Sequence, residues 1–237
     1  MNASGRVGHI LTLADIGGAI ERVAAAREVL GDSRDIAIDF HGRISLTGAR
    51  QLLPQLTEFG PLFVEEAVLP EHNHLLAGLV AGSAVPLATG ERLYSRAEFL
   101  PVLQAGISVA QPDISHAGGI SEVRRIGALA EVWDAALAPH CPLGPIALAA
   151  SLQVAFAVPN FLIQEQSLGI HYNEGADLLD YLLDTEIFAF RGGYVARPRG
   201  PGLGLQIDED AVRRADERGH AWRSPVWRHD DGSFAEW

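Results

Sequence analysis

The sequence predicts a parallel α/β fold: either an open doubly wound sheet, or a (β/α) barrel with about six βα units present and its first two strands missing. Three observations predict it. Short apolar runs of strand length alternate with helical stretches, the alternation repeats near every 26 residues, and an ionisable residue closes each run at its carboxyl end. With 237 residues, 48% of them hydrophobic, the chain has material for one packed core.

The elements follow in order. Ala19 to Leu30 reads as a helix, and Ile36-Ala-Ile-Asp39 as the first strand. Leu46 to Glu58, His72 to Val80, Arg96 to Ala105, Ile120 to Trp133 and Pro145 to Val154 carry apolar residues at helical spacing, with Ser, Thr, Gly or Pro near their ends. Between them, Leu62 to Glu65, Pro86 to Thr89, Ser108 to Pro112, Ala135 to Ala138 and Phe161 to Gln164 are buried parallel strands. Residues 1–13 are too short to supply a further strand with its helix. Asp177 to Phe188 is a last helix, and 192–207 is punctuated by Gly and Pro.

Composition removes several function classes. A net charge of −12 argues against a nucleic-acid surface. All 18 basic residues are arginine, which excludes a Schiff-base lysine and a Walker phosphate loop. The single cysteine, Cys141, excludes an internal disulfide framework and a thiolate zinc cluster. No uncharged apolar run is long enough to span a membrane and no basic, apolar leader opens the chain, so a cytoplasmic protein is the expectation.

The strand ends carry the chemistry, because in parallel α/β architectures that rim is where ligands bind. Asp39, Glu65 and Glu91 stand one βα unit apart, at intervals of 26 and 26 residues. Three carboxylates converging from adjacent strand ends repel unless a hard dication joins them, and Mg²⁺ takes oxygen ligands. Asp113 and His140 are again one unit apart, so the carboxylate can accept the imidazole Nδ1–H and fix the tautomer of a general base. His41, two residues after Asp39, shares its direction in extended chain, and faces His140 across the mouth of a closed eight-stranded barrel. Glu165, on the last strand, can hydrogen-bond an oxygen that gains negative charge.

This constellation fits removal of a proton α to a carboxylate, followed by loss of a β-hydroxyl or return of the proton to the other face. Other residues read more plainly. Glu66 alternates to the face opposite Glu65 as a salt-bridge or core-edge acid, His72 and His74 are solvated, Gly118-Gly119 is a weak anion-binding signal and Cys141 is packing. His116 and His171 lie in loops near the rim, where they can touch substrate.

The strings Ile38 to Arg43, Phe63 to Glu66, Ala88 to Arg92, Gln111 to Ile120, Ala138 to Pro145 and Gln164 to Asn173 resemble the galactonate dehydratase family, within the mandelate racemase subgroup of the enolase superfamily. Pro201 to Leu205 and Trp227 to Asp230 match it too, so the likeness covers essentially the whole chain. One departure is Ala67, where the family's Glu-Glu motif continues with Pro.

The resemblance implies an enolase-type (β/α) barrel, with Mg²⁺ on Asp39, Glu65 and Glu91. It further implies a His140–Asp113 dyad abstracting the C2 proton of D-galactonate, His41 assisting departure of the 3-hydroxyl and Glu165 contacting the intermediate. The family's N-terminal capping domain and first two barrel strands have no counterpart, since Met1 aligns near the end of the second strand. Residues 1–190 are then a barrel domain incomplete at its N-terminal side, and 191–237 a C-terminal segment packing back on the capping domain. A small-molecule aldonate is the expected partner, with no nucleic acid and no membrane, and a homo-oligomer is expected for the full-length protein. Dehydration or racemisation of another aldonate, and an inactive truncated remnant, remain the alternatives.

Overall fold

In the computed structural model, residues 1–168, 179–219, 223 and 226–235 are described. Several helices begin where side chains satisfy their first amides. Helix α1 (Leu13–Leu30) opens with a full capping box: Thr12 accepts from the Asp15 amide at 3.2 Å, and Asp15 accepts from the Thr12 amide at 2.8 Å. The Ser45 hydroxyl caps α2 (Leu46–Leu56) at the Gly48 amide, 3.1 Å away. Helix α3 (Leu76–Val80) follows a short 3₁₀ turn, Pro70–Leu75. Ser95 caps α4 (Arg96–Gln104), Gly118 precedes α5 (Gly119–Val132), and Pro145 is the first residue of α6 (Pro145–Ala155), where its missing N–H costs nothing.

Five strands, β1 (Ala37–Asp39), β2 (Phe63–Glu65), β3 (Leu87–Thr89), β4 (Val109–Ala110) and β5 (Ala136–Leu137), pair in parallel in sequence order. The sixth predicted strand is present only as a parallel bridge from Phe161 to Leu137, and Asn2 makes a similar bridge to Asp39 on the far side of β1. Period-two alternation sorts the sheet residues. Ile38, Val64, Leu87, Ala110 and Leu137 face the helices in the main core, whereas Phe63, Ala88 and Val109 form a small cluster on the opposite face with Ala138. Register places Ala88 opposite Glu65, and Glu65 opposite Asp39. The first two acids therefore lie side by side on that second face.

The predicted helix over Asp177 to Phe188 is not formed. Residues 177 and 178 lie outside the described residues, and from Leu179 onward the chain turns and is extended. Leu182 pairs antiparallel with Ile207, and only Glu186–Phe188 winds as a 3₁₀ turn. The leucines that mimicked a helical stripe instead cover α6: Leu182 and Phe188 pack against Leu148 and Leu152. Asp184 also offers its carboxylate to the Glu186 amide at 2.9 Å, a local bond that competes with helix. A helix the sequence reading did not place, α7 (Glu209–Arg218), follows an Asp208 cap and buries no residue. Within the C-terminal segment, Leu203, Leu205 and Ile207 pack on the α6 cluster, and Arg6 donates to the Arg228 carbonyl at 2.6 Å.

Candidate active site

The carboxyl ends of the strands gather most of the residues singled out above. At β1, the chain leaves the strand through a left-handed residue: His41 has φ +50° and Gly42 φ +67°. His41 is thus not in extended chain, as its spacing from Asp39 suggested. It reaches the Asp39 side through a turn, in which the His41 amide donates to Asp39 Oδ1 at 2.7 Å and its Nδ1 stands 2.7 Å from Oδ2. Glycine is favoured at 42, where φ is +67° and a Cβ would stand 3.2 Å from the Leu69 Cα.

Glu65 closes β2 and is 9% exposed. Burial first, then the charge of Asp39, pushes its carboxyl up to about 8, with Glu165 and Glu91 adding to the repulsion and a Gln111 hydrogen bond opposing it. Glu66, with φ +46°, turns the other way and is 1% exposed. It accepts a short hydrogen bond from the Thr89 hydroxyl and a longer one, 3.3 Å, from the Gly90 amide. Burial pushes its carboxyl up to about 7, against the Thr89 bond. The core-edge acid expected at this position is a buried acid joining β2 to the end of β3.

After β3, Glu91 is held between two bases. Its Oε1 accepts from Arg92 Nε at 3.2 Å, and its Oε2 lies 3.4 Å from His140 Nε2. After β4, Asp113 is 1% exposed and engaged on both oxygens. Oδ1 accepts from the amides of Ser115 at 2.7 Å and His116 at 3.2 Å, and Oδ2 lies 2.8 Å from His140 Nδ1. Burial pushes Asp113 up, but the bonds to His140 and Ser115 outweigh it and hold the carboxyl below its ordinary value. An ionised carboxylate only accepts, so Nδ1 carries the proton and Nε2 faces Glu91. Burial pulls the His140 imidazole down, yet the Asp113 bond and the charges of Glu165 and Glu91 prevail and push it up to about 9.

Glu165 accepts from the Cys141 amide at 2.8 Å, and burial raises its carboxyl despite the nearby His140. His116 stands at the rim, with Nδ1 3.2 Å from the Glu91 carbonyl and its ring 6.3 Å from that of His140. His171 lies outside the described residues. The structure thus assembles Asp113, His140, Glu91 and His116 directly, links Glu165 through Cys141, and sets Asp39 beside Glu65.

The trio of acids fits a hard dication by its chemistry: oxygen donors only, on adjacent strand ends, with Glu65 lifted first by burial and then by the charge of Asp39. Among the described residues no three such side chains converge in metal-holding geometry. The outer two are turned instead to basic neighbours, Asp39 to His41 and Glu91 to Arg92 and His140. Sequence reasoning passed over Gln111 and Arg92. The only signal for either was its place in a rim string, Arg92 directly after Glu91 and Gln111 two before Asp113.

Known proteins resemble this chain along most of its length. It is 54% identical over 223 residues to a D-galactonate dehydratase of Xanthomonas oryzae pv. oryzae (strain PXO99A), covering 94% of this chain and 58% of that protein. It is 50% identical over 238 residues to a D-galactonate dehydratase of Ralstonia pickettii (strain 12J), covering 100% of this chain and 62% of that protein. The chain therefore spans about three fifths of the length of these curated relatives.

Among solved structures, an enolase from Agrobacterium radiobacter with bound sodium and L-malate superposes with a TM-score of 0.84 at 37% identity, covering 97% of this chain and 61% of that one. A mandelate racemase/muconate lactonizing enzyme from Jannaschia sp. CCS1 gives 0.80 at 31% identity, covering 90% and 54%. A family model described as enolase C-terminal domain-like matches residues 4–211. With a parallel sheet bearing acids and a buried Asp–His pair on one rim, and a family match over most of its length, this chain belongs to the enolase C-terminal domain-like family.

Proposed function

We propose that this chain carries the catalytic centre of a magnesium-dependent sugar-acid dehydratase, with D-galactonate as substrate and 2-dehydro-3-deoxy-D-galactonate as product. The observation that carries the reading is the Asp113–His140 pair, 2.8 Å apart, with its second imidazole nitrogen directed at a strand-end carboxylate. The identity to D-galactonate dehydratases supports D-galactonate as the substrate within the class.

Asp39, Glu65 and Glu91 would hold the magnesium ion, which supplies Lewis-acid stabilisation of negative charge on the substrate carboxylate. His140 Nε2 takes the proton from C2: Asp113 keeps Nδ1 protonated, and because the charges of Glu165 and Glu91 help push the imidazole up, a cation held by Glu91 would draw it back toward the neutral form with its lone pair on Nε2. His41 donates a proton from Nε2 to the departing 3-hydroxyl, which leaves as water while the C2–H electron pair forms the C2–C3 double bond. The enol so formed returns a proton to C3 to give the α-keto acid. Glu165, whose carboxyl burial raises, can hydrogen-bond an oxygen that gains charge. His116, beside His140 at the mouth, touches substrate, and His171 is assigned the same role on sequence grounds alone.

The test is an aldonate panel with Mg²⁺ and an α-keto acid readout, run on this chain and on its product with any in-frame sequence upstream of Met1. Turnover of D-galactonate is expected. Turnover of another aldonate, with none of galactonate, refutes the substrate, and racemised product without dehydration refutes the reaction.

A further inference from the structure

Arg92 takes no part in the chemistry proposed above, yet its contacts join both halves of it. Its Nη2 donates to the main-chain carbonyl of His41 at 3.0 Å, and its Nε donates to Glu91 Oε1 at 3.2 Å. The same Nε lies 4.0 Å from Oε2 of Glu66, the buried acid that also holds Thr89 and Gly90. One guanidinium, 28% exposed, thus spans the ends of three consecutive strands. Its planar fork can serve a carbonyl and a carboxylate in fixed directions at once, which an ammonium cannot do.

What it holds is the His41–Gly42 peptide. That peptide follows a non-glycine residue at φ +50°, a conformation that persists only where its surroundings enforce it. Its N–H donates to the Glu66 carbonyl at 2.8 Å, and its C=O accepts from Arg92. The peptide plane is therefore tied on one edge to β2 and on the other to the turn after β3. The bond to the carbonyl comes from a side chain, so one substitution removes it.

We infer that Arg92 is a positioning residue, fixing the His41–Gly42 peptide and with it the His41 imidazole at the rim of the sheet. For its catalytic consequence this inference rests on the dehydratase reading. His140 is oriented by Asp113 and meets Arg92 only through Glu91, so removing the clamp acts chiefly on His41: the C2 step keeps its base, and departure of the 3-hydroxyl loses its placed acid.

Two arms test it. With Mg²⁺ and D-galactonate in deuterated water, Arg92→Met slows dehydration about 10–100-fold, as loss of an orienting partner does, while C2 exchange changes less than about threefold. Arg92→Lys, which keeps the charge but not the planar fork, recovers part of the dehydration rate. Without substrate or metal, NMR of histidine-labelled protein shows the His41 ring resonances shifted in Arg92→Met, while the His140 Nδ1 proton bonded to Asp113 persists. Exchange and dehydration falling together, full activity in Arg92→Met, or unmoved His41 resonances each overturn the inference. A wild-type chain that neither exchanges C2 nor dehydrates any aldonate sinks the dehydratase reading instead, and the NMR arm then decides the clamp by itself.

Discussion

At the scale of single residues, the account makes His140 the base and the strand-end acids the metal ligands, so the two functions should separate by substitution. His140→Asn is expected to abolish C2 deuterium exchange while Mg²⁺ affinity, read by calorimetry, stays nearly intact; normal exchange would remove His140 from the mechanism. Cys141 behaves oppositely to a nucleophile. It is 1% exposed, and burial pushes its thiol up to about 12. Against an ordinary thiol near 8.5, the thiolate fraction at pH 8 drops by on the order of a thousandfold. Native protein should therefore resist iodoacetamide that labels the urea-unfolded chain within minutes, and equal labelling of both would contradict its burial.

The sequence exposed these residues unevenly. Asp39, Glu65 and Glu91 were legible because each βα unit has nearly the same length, which converts spatial adjacency into a 26-residue interval. The Asp113–His140 pair was legible for the same reason. Arg92 was not, since its role depends on a lateral contact with a carbonyl 51 positions away. The turn at His41 was misjudged because nothing but the glycine after it hints at a left-handed residue.

At the scale of elements, most helices were placed to within a few residues, but α1 begins at Leu13, six residues before the expected Ala19, so its capping box was missed. Asp177 to Phe188 failed because its leucines serve the outer face of α6, and α7 escaped notice because a helix with no buried residue has no apolar stripe. The caps themselves are testable. Thr12→Ala removes the first turn's side-chain acceptor from α1 and should cost about 1 kcal/mol in urea unfolding. Hydrogen bonds from the Thr12 amide and hydroxyl hold the Asp15 carboxyl below its ordinary value. That contribution is complete above the ordinary carboxylate range and is lost as pH falls through the lowered value. The difference between wild type and Asp15→Asn should therefore be largest near neutrality and shrink in acid; a gap that widens in acid would contradict the box. At the end of β3, a Cβ on Gly90 would stand 2.7 Å from Phe99 Cζ and 2.8 Å from the Gln111 backbone. Gly90→Ala should destabilise by about 1–3 kcal/mol through overpacking, measured by the same melts.

At the scale of the whole molecule, the sheet brings distant parts of the chain to one rim and leaves the helices to make the core. Among the described residues no helix is long and apolar enough to cross a membrane. The direction of the parallel strands, rather than any one motif, is what sets carboxylates from three successive units and a histidine from the fifth on the same side. The central claim is that these three acids form one cation site beside that histidine. Anomalous diffraction from crystals soaked in Mn²⁺, a substitute for magnesium with the same preference for oxygen ligands, tests it most directly. One strong peak bonded to Asp39, Glu65 and Glu91 together, with Asp39 and Glu91 drawn away from His41 and Arg92, is the predicted result. Crystals that take up Mn²⁺ elsewhere, or that leave those carboxylates on their basic neighbours at saturating metal, would contradict it.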